Sequence, residues 1–499
     1  MTGRFVLALD EGTTSTRSIA FDRSGAVAAV AQREFEQRYP APGDVRHDPE
    51  EIWAAQLATA REVIAAVGGP ETIAAIGVTN QRETAVVWDR AGGRPVADAI
   101  VWQSRVTAPF CESLRAAGHE AAVRAKTGLP LDAYFSGPKF RQILAEDPSL
   151  RPRADAGELA AGTIESFLIW RLTGGRVHVS DVSNASRTLL LDIRRAAWDN
   201  DLLALMEVPR ALLPEVRSSS EVYGETDPEV FGRAIPIAGA AGDQQAATFG
   251  QGCFEPGEAK VTLGTGAFLL ANTGSEPVES GHGMLATIAW QLGPGAPLVY
   301  AIEGSVFVTG AAVQWLRDGL GLIDASADVE ILAGRVADSG GVVFVPAFVG
   351  LGAPYWDPAA RGTIVGLTRG SGAAEIARAT LDSITFQVRD VVEAMDADLH
   401  SPLTELRVDG GGAGDLVCQL IADQVGRPVE RPAVRETTAF GAAALAGLAV
   451  GFWSEPAEIA AIRAVERRFE PAAPSDRRDA DYRAWQRAVE RSRGWASPA

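Results

Sequence analysis

Hydroxyl side chains and an arginine crowd one turn near the start of the chain. In FVLALDEGTTSTRSIAFD (5–22), an aspartate, a glycine, four hydroxyl residues and Arg17 lie between apolar runs. Backbone N–H groups of a glycine–threonine turn point outward and bind phosphate oxygens. Asp10 would repel a phosphate unless a cation lay between them, so the two together predict Mg²⁺ held partly through water. The turn indicates a site for the phosphates of a Mg-nucleotide, with an ordinary polar-tipped hairpin as the alternative.

Two more glycine-rich turns follow apolar strands. VTLGTGAFLLANTG (261–274) repeats the plan of the first turn, and an internal duplication of about 250 residues would explain the chain length. The third turn, in LRVDGGGAGDLVCQLIADQVG (406–426), would let a flat group such as adenosine approach the backbone. Taken alone, the third turn is more typical of a tight strand-to-helix connection. No G-x-x-x-x-G-K-[ST] motif is present, so no Walker-type P-loop is expected.

An aspartate stands where a predicted strand gives way to a helix. IPIAGAAGDQQAATFGQG (235–252) reads as strand, glycine-rich turn, Asp243 and helix. A carboxylate in that position can accept the proton of an alcohol that attacks phosphorus. A helix N-cap is the commoner role of a lone aspartate, and the two roles are compatible.

Composition narrows the class of protein. The chain has 499 residues, 46% hydrophobic and 22% charged, as expected for two or three globular domains. Its net charge of −18 argues against nucleic-acid binding. The longest small-apolar stretch, AFGAAALAGLAVGFW (439–453), is shorter than the ~20 residues of a membrane span and predicts a close-packed helix instead. The three cysteines are scattered and the N-terminus does not have the pattern of a signal peptide, so a cytoplasmic location is expected. The five histidines are scattered as well, which argues against a His/Cys metal site.

Several further elements can be predicted from patterning. The segment 47–69 reads as a helix with Asp48 as N-cap, Pro49 in the first position and Glu51 closing a capping box. IAAIGVT (73–79) and DAIVWQS (98–104) read as strands, and 475–495 as an amphipathic helix that docks on its own protein.

With these motifs in hand, the sequence resembles the glycerol kinases of the FGGY carbohydrate-kinase family. The matching segments run from residue 9 to about 453, and the most specific are LDEGTTSTR (9–17), GVTNQRET (77–84), AIVWQ (99–103), DAYFSGPK (132–139), GRVHVSDVSNASRT (175–188), AGDQQAA (241–247), GTGAF (264–268), VPAFVGLGAPYWDPAARG (345–362) and LRVDGG (406–411).

The resemblance implies an α/β fold of two actin-like (ribonuclease H-like) domains, 1–250 and 251–499, with the catalytic cleft between them. The first domain would bind acceptor and phosphates, and the second the nucleotide. The implied reaction transfers phosphate from ATP to glycerol, giving sn-glycerol 3-phosphate in glycerol catabolism. Implied partners are glycerol, ATP and Mg²⁺, with no nucleic acid and a homodimeric or homotetrameric assembly.

The resemblance also assigns roles to residues. Asp10 and Asp243 would hold Mg²⁺, and Asp243 would be the general base. Nucleotide-binding residues would be Thr13, Thr14, Ser15, Arg17, Thr265, Gly310, Gln314, Gly411 and Asp415. Acceptor-binding residues would be Arg82, Glu83, Trp102, Tyr134, Asp243, Gln244 and Phe268. Arginine and glutamate suit vicinal hydroxyls, and aromatic rings suit a C–H face, although core packing is the common role of Trp102 and Phe268.

The chain departs from the family pattern at several positions. Glu11 and Asp415 stand where the family usually has Gln and Asn, Gln142 stands where it has Trp, and Val106 interrupts an arginine pair. Glu11 adds a negative charge beside the phosphate turn. TDPEVFGRA (226–234) replaces the glycine-rich loop that some members use for allosteric sugar-phosphate binding.

Two alternatives remain open at this point. One is a kinase of the same family for another polyol or sugar, such as erythritol, threitol or xylulose. The other is an actin- or Hsp70-like ATPase switch, and the acceptor motif QRET (81–84) argues against it, because a switch needs no acceptor pocket.

Overall fold

The computed structural model describes residues 4–399 and 402–496. In the described part of the N-terminal half the strands are β1 (Phe5–Glu11), β2 (Ser15–Phe21), β3 (Val27–Glu34), β4 (Arg46–His47), β5 (Ile73–Asn80), β6 (Val86–Asp89), β7 (Ala99–Ile100), β8 (Leu159–Gly162), β9 (Val179–Asp181), β10 (Leu191–Asp192), β11 (Ala197–Trp198), β12 (Glu215–Arg217), β13 (Ser220–Glu225) and β14 (Pro236–Gly242). Its helices are α1 (Pro49–Ala66), α2 (Ala108–Ala116), α3 (Glu120–Thr127), α4 (Ser136–Glu146), α5 (Leu150–Asp155), α6 (Ile164–Leu172), α7 (Val182–Ala185), α8 (Asn200–Leu205), α9 (Pro228–Phe231) and α10 (Asp243–Gly250), with 3₁₀ turns at Pro70–Thr72 and Arg210–Leu212.

The C-terminal half follows with further strands and helices. Its strands are β15 (Ala259–Leu263), β16 (Ala267–Gly274), β17 (Leu285–Gln291), β18 (Leu298–Val306), β19 (Val343–Val345), β20 (Thr363–Val365), β21 (Leu406–Asp409), β22 (Val429–Pro432) and β23 (Val465–Phe469). Its helices are α11 (Gly310–Asp318), α12 (Asp328–Ala333), α13 (Ala373–Asp398), α14 (Asp415–Val425), α15 (Thr437–Ala449), α16 (Pro456–Ile462) and α17 (Ser475–Ser492).

Each half is built on one large mixed sheet. The first has the order β13-β14-β5-β1-β2-β3, with β1 antiparallel to β2 and parallel to β5, and β5 parallel to β14. The carboxyl ends of parallel strands meet at one edge of a sheet. The first glycine turn, the QRET segment and Asp243 follow β1, β5 and β14, and they therefore gather at the same edge.

The second sheet repeats this plan. Its order is β17-β18-β16-β15-β21-β22-β23, with β15 antiparallel to β16 and parallel to β21. The turn 264–266 thus occupies in its sheet the place that the turn 12–14 occupies in the first. The structure agrees with the prediction of a repeated strand–turn–strand hairpin. In both copies the first strand of the hairpin also pairs with a parallel strand, β5 in the first sheet and β21 in the second.

Helix α15 joins the two halves. It comes from the C-terminal half, yet it packs on strands β1, β5 and β14 of the first sheet and against α10. The approach is close: a Cβ on Gly77 would lie 2.1 Å from the carbonyl oxygen of Ala442, and one on Gly441 would lie 1.8 Å from that of Ala246. Glycine is required at both positions. The two halves consequently share a core, and the small-residue stretch predicted as a close-packed helix fills it.

Local predictions hold to different degrees. Helix α1 begins as predicted, since the Asp48 carboxylate accepts a 2.9 Å bond from the N–H of Glu50. The capping box is wrong, because the Glu51 carboxylate accepts instead from the N–H of Glu36, in the segment that crosses the helix start. The strand predicted over 98–104 is limited to β7, which pairs with the two-residue β4 and also bridges to Ala85 through Ile100.

The C-terminal amphipathic helix docks on the protein itself, as predicted. Trp485 of α17 stacks on Phe386 of α13 with ring centroids 5.5 Å apart, and its indole N–H donates to buried Asp390. Among the described residues, no helix combines the length and apolar character that membrane crossing requires.

Candidate active site

The first glycine turn links β1 to β2, and its tip is accessible to solvent. Thr14 is exposed, and residues 12, 13 and 15 are half-buried. Arg17 points back along the hairpin: its Nη2 lies 2.7 Å from Asp10 Oδ2, and its Nη1 lies 2.6 Å from Oε2 of Glu436, which precedes α15. Burial raises the pKa of Asp10, and Arg17 opposes that rise. A cation and two acids therefore border the turn predicted to bind phosphates.

Glu11 lies inside the sheet rather than on the turn surface. Its side chain is fully buried, and its Oε1 accepts a 3.1 Å bond from Gln81 Nε2. Within the described residues its second oxygen has no hydrogen-bond partner. Burial raises the pKa of this carboxyl well above its usual value. In its protonated form the side chain has the shape and polarity of glutamine.

Asp243 is the first residue of α10 and is accessible from the cleft, with 32% of its side chain exposed. Gly242 takes the N-cap position, so the N-cap interpretation of Asp243 is wrong by one residue. The two carboxylate oxygens accept from the backbone N–H (2.8 Å) and the side-chain amide (2.9 Å) of Gln244. Buried Lys260 donates to the amide oxygen of Gln244, which directs the amide nitrogen toward Asp243. The predicted base is thus held in one orientation.

Arg82 occupies the centre of the predicted acceptor site. Its guanidinium is buried and forms a bidentate ion pair with Glu303 of β18: Nη1 donates to Oε2 at 2.6 Å and Nη2 donates to Oε1 at 3.0 Å. Its Nε lies 3.3 Å from Asp243 Oδ1, and its Nη2 lies 3.5 Å from the hydroxyl of Tyr134. Since β18 belongs to the other half, the pair crosses the cleft. The arrangement connects the predicted base with the polar side of the acceptor site.

Glu83 adopts an unusual backbone conformation beside Arg82. Its φ is 62°, a left-handed value that is uncommon for residues other than glycine. Its carbonyl oxygen accepts from Ser136 Oγ (3.1 Å) and Lys139 Nζ (3.2 Å), and its carboxylate accepts from Arg187 Nε (2.7 Å). Such strain persists where surrounding contacts over-determine it, which is common at functional sites.

Three aromatic rings form the apolar side. Trp102 meets Tyr134 and Phe268 edge to face, with centroids 5.8 and 6.4 Å apart, and the Arg82 guanidinium lies 5.9 Å from the Phe268 ring centre. All three rings are half-buried. They are therefore only partly enclosed, at the place where the apolar side of the acceptor site is predicted.

The predicted nucleotide residues of the C-terminal half meet around the turn 264–266. The N–H groups of Thr309 and Gly310 donate to the carbonyls of Thr265 and Gly264 at 2.9 and 3.0 Å, and Gly412 N–H donates to the carbonyl of Leu263 at 3.0 Å. The second glycine turn, the start of α11 and the third glycine loop are therefore contiguous. Space above Gly411 is open, with no atom within 4 Å of a Cβ built there. Gln314 projects from α11 as an exposed residue.

Asp415 begins α14, and its side chain turns to arginines of β22 and β23. One carboxylate oxygen lies 2.7 Å from Arg431 Nη2, and the other pairs with Arg467. The departure from Asn is thus accompanied by two positive partners. Of the other departures, Gln142 donates to Glu146, and Val106 packs on the apolar core of the N-terminal half.

Sequence reasoning missed four charged residues that organise the site: Arg187, Lys139, Lys260 and Glu303. Each side chain is fully buried. A signal was present for Glu303, because it is the only charged residue in the apolar strand LVYAIEGSV. Arg187 and Lys139 lie in motifs that match the family, NASRT and FSGPK, but their partners are distant in the sequence.

The donor set near the first turn fits Mg²⁺. Within the described residues, no cluster of three His, Cys, Asp or Glu side chains could hold a metal. Magnesium in phosphate sites takes only one or two carboxylates, and completes its shell with phosphate and water. Burial raises the pKa of Asp10, and the negative charge of Asp243 adds to that rise. A divalent cation would relieve that repulsion.

Comparison with known proteins identifies the family of this chain. Residues 5–250 and 259–450 match the N-terminal and C-terminal domain models of the FGGY family of carbohydrate kinases. Glycerol kinase of Carboxydothermus hydrogenoformans is 57% identical over 498 residues, and glycerol kinase 2 of Thermotoga maritima is 55% identical over 494, each match covering 99% of both chains. The crystal structure of Plasmodium falciparum glycerol kinase with ADP superposes with a TM-score of 0.92 at 34% identity, covering 98% of both chains. The chain therefore belongs to the FGGY family of carbohydrate kinases.

Proposed function

We propose that this protein is a glycerol kinase that transfers phosphate from ATP to glycerol and produces sn-glycerol 3-phosphate and ADP. One observation carries the proposal: Arg82, which would bind acceptor hydroxyls, lies 3.3 Å from Asp243, which would deprotonate one of them. Relatives named glycerol kinase, similar over nearly the full chain, support this acceptor.

The chain's own groups would divide the work as follows. Arg82, Glu83 and Tyr134 bind two hydroxyls, and Trp102 and Phe268 cover the carbon chain. Asp243 accepts the proton of the third hydroxyl while that oxygen attacks the γ-phosphorus and the bond to the β-phosphate oxygen breaks. The products are the phosphate ester, ADP and the protonated carboxyl, which returns its proton to water.

Phosphate binding would fall to the first turn, with Thr13, Thr14 and Ser15 as donors and Arg17 nearby. The base and ribose of ATP would lie against the turn 264–266, Gly310, Gln314 and the loop of Gly411. Asp10 and Asp243 would hold Mg²⁺, which when bound supplies positive charge to the transferring phosphate. Arg17 is held by Asp10 and Glu436, so it would serve the phosphates without leaving its two partners.

The direct test is acceptor-dependent ADP formation. Purified protein with Mg-ATP should release ADP when glycerol is added and release almost none without it, because phosphate transfer requires an acceptor hydroxyl. Turnover with erythritol, threitol or xylulose in preference to glycerol would show a different kinase of the same family. ADP release that ignores every acceptor would instead support an ATPase switch.

Three companion expectations stay predictions. They are a division near residue 250 into an acceptor domain and a nucleotide domain, a homodimeric or homotetrameric assembly, and a cytoplasmic location. Light scattering coupled to gel filtration measures the assembly, and limited proteolysis with and without ATP tests the division.

A further inference from the structure

A single carboxylate from the C-terminal half closes the charge network beneath the acceptor site. Glu303 Oε2 accepts from Arg82 Nη1 at 2.6 Å, and Oε1 accepts from Arg82 Nη2 at 3.0 Å and from Arg187 Nη2 at 3.1 Å. Ser305 Oγ adds a bond of 3.3 Å to Oε1. Both oxygens of this carboxylate thus accept hydrogen bonds from arginine. The two arginines hold its pKa at about 2 although burial opposes them.

Glu303 is the main counter-charge of Arg82 in this network. The side chains of Arg82, Arg187, Glu83 and Glu303 are all buried. The Glu83 carboxylate is already paired with Arg187 Nε at 2.7 Å, so it cannot fully serve as the counter-charge of Arg82. Without Glu303, the nearest acids to the Arg82 guanidinium are Glu83, at 3.9 Å from Nε, and Asp243, at 3.3 Å. Buried charges without partners move toward whatever counter-charge they can reach.

The position of Arg82 depends on this contact more than on its neighbours. The bidentate pair between Arg82 and Glu303 fixes both the position and the plane of the guanidinium. With both Nη atoms engaged by Glu303, only the Nε edge faces Asp243. Tyr134, at 3.5 Å, and Gln245, at 3.3 Å, contribute weaker and neutral contacts.

We propose that Glu303 is a positioning residue for the acceptor: it reaches from the C-terminal half to hold Arg82 in the orientation that binds acceptor hydroxyls and keeps the guanidinium from pairing fully with Asp243. Glu303 acts through Arg82. The inference rests on the proposed function only in assigning Arg82 to acceptor binding. Since the nucleotide residues lie around the turn 264–266, the contact should govern the acceptor and not ATP.

The test uses three graded variants of the full chain. Ser305→Ala removes one hydrogen bond, Glu303→Asp keeps the charge but shortens its reach, and Glu303→Gln removes the charge. Calorimetric titration gives the Kd of the acceptor and of ADP separately, and steady-state kinetics gives both KM values. We expect the acceptor Kd to rise in the order Ser305→Ala, Glu303→Asp, Glu303→Gln, reaching at least about tenfold in the last. The ADP Kd should stay within about twofold of the wild-type value.

The matched control is Asp390→Asn. Asp390 is also a buried carboxylate of the C-terminal half, but its partners are Tyr482 and Trp485 on α17. This change should leave both Kd values unchanged, which separates the loss of a buried acid in general from the loss of this one.

The outcomes are distinguishable. If wild type uses no acceptor, the proposed function fails; if wild type prefers another polyol, the same titrations are run with that polyol. An acceptor Kd that stays constant in Ser305→Ala and in the folded Glu303 variants would overturn the positioning role. Equal rises of the acceptor and ADP Kd values would overturn it as well, because they indicate general distortion of the cleft. Should Glu303→Gln fail to fold, the two milder variants decide.

Discussion

The indole Nε1 of Trp102 donates a hydrogen bond of 2.9 Å to the hydroxyl of Thr13. Thr13 belongs to the turn predicted to bind phosphate, and Trp102 to the aromatic side of the acceptor site. The two predicted subsites therefore share a wall. For a kinase that geometry is useful, because the acceptor oxygen must lie within about 3–3.5 Å of the transferred phosphorus before reaction.

Thr13→Val tests this connection while keeping the side-chain shape. The indole N–H would lose its partner, which costs about 1 kcal/mol and corresponds to roughly a fivefold rise in the KM for glycerol. Thr13→Ser retains the hydroxyl and is the control, with a KM near that of wild type. A glycerol KM that is equal in the Val and Ser variants would show that the hydrogen bond does not support the acceptor wall.

Asp243→Asn should abolish turnover and leave nucleotide binding in place. Loss of a general base typically lowers kcat by about 10²–10⁴-fold. Asp201→Asn, at an exposed helix start, is the matched control and should have no effect. Single-turnover kinetics and ADP titration measure the two properties. A variant that keeps more than about a tenth of wild-type kcat, a loss under ~1.4 kcal/mol, would contradict the role.

The acceptor pocket should select three carbons with three hydroxyls. Propane-1,2-diol and propane-1,3-diol should be poor acceptors, since each leaves a buried polar group unpaired at a cost of about 1–3 kcal/mol. Phe268→Ala should improve erythritol or threitol relative to glycerol by removing part of the wall, and Arg82→Ala should damage all of them. Ratios of kcat/KM across this panel are the measurement. A wild-type preference for a four-carbon polyol would mean the same family with another substrate.

The departure at Glu11 should weaken Mg-ATP binding whenever the carboxyl is ionised. Burial raises the pKa of the Glu11 carboxyl, which moves its ionisation to higher pH. The ionised fraction, and with it the repulsion of phosphate, therefore grows as the pH rises. Glu11→Gln is therefore expected to lower the KM for ATP, most clearly at alkaline pH and low Mg²⁺. Glu34→Gln, an exposed acid at the end of β3, serves as the control. An unchanged or higher KM at every Mg²⁺ concentration would show that the charge is already compensated.

Lys139 should make glycerol binding sensitive to pH. Its ammonium donates to the carbonyl oxygens of Glu83, Tyr134 and Phe135, and burial lowers the pKa of Lys139 to about 7. Below that pH the group has three N–H donors for three carbonyls; above it the neutral amine has two. The KM for glycerol should rise by roughly fivefold as pH increases through this range, while the KM for ATP changes less.

The control for this pH effect is Lys139→Met. It should give a high glycerol KM that no longer depends on pH near 7. If wild type and the methionine variant show parallel pH profiles, another group is responsible.

The sequence alone determined those features that depend on residues close together in the chain. Glycine turns after apolar strands and an aspartate at a strand end are local signals, and they predicted the phosphate turn and the candidate base, while the resemblance to the FGGY family implied the fold and the acceptor residues. Helix α1 could be read from Asp48 and Pro49 because capping involves neighbours in the chain. The capping box failed because Glu51 has a competing partner, Glu36, that no local rule includes.

Tertiary structure decided which charges meet. Arg82 and Glu303 are 221 positions apart, and Arg17 and Glu436 are 419 apart. Nothing in either local sequence specifies the partner, since a buried charge is stable only where a distant chain segment supplies its counter-charge. The close passage of α15 over Gly77 likewise appears only after folding. Motifs in the sequence thus indicated the candidate residues of the site, while the ion pairs that orient them depend on how the two halves pack.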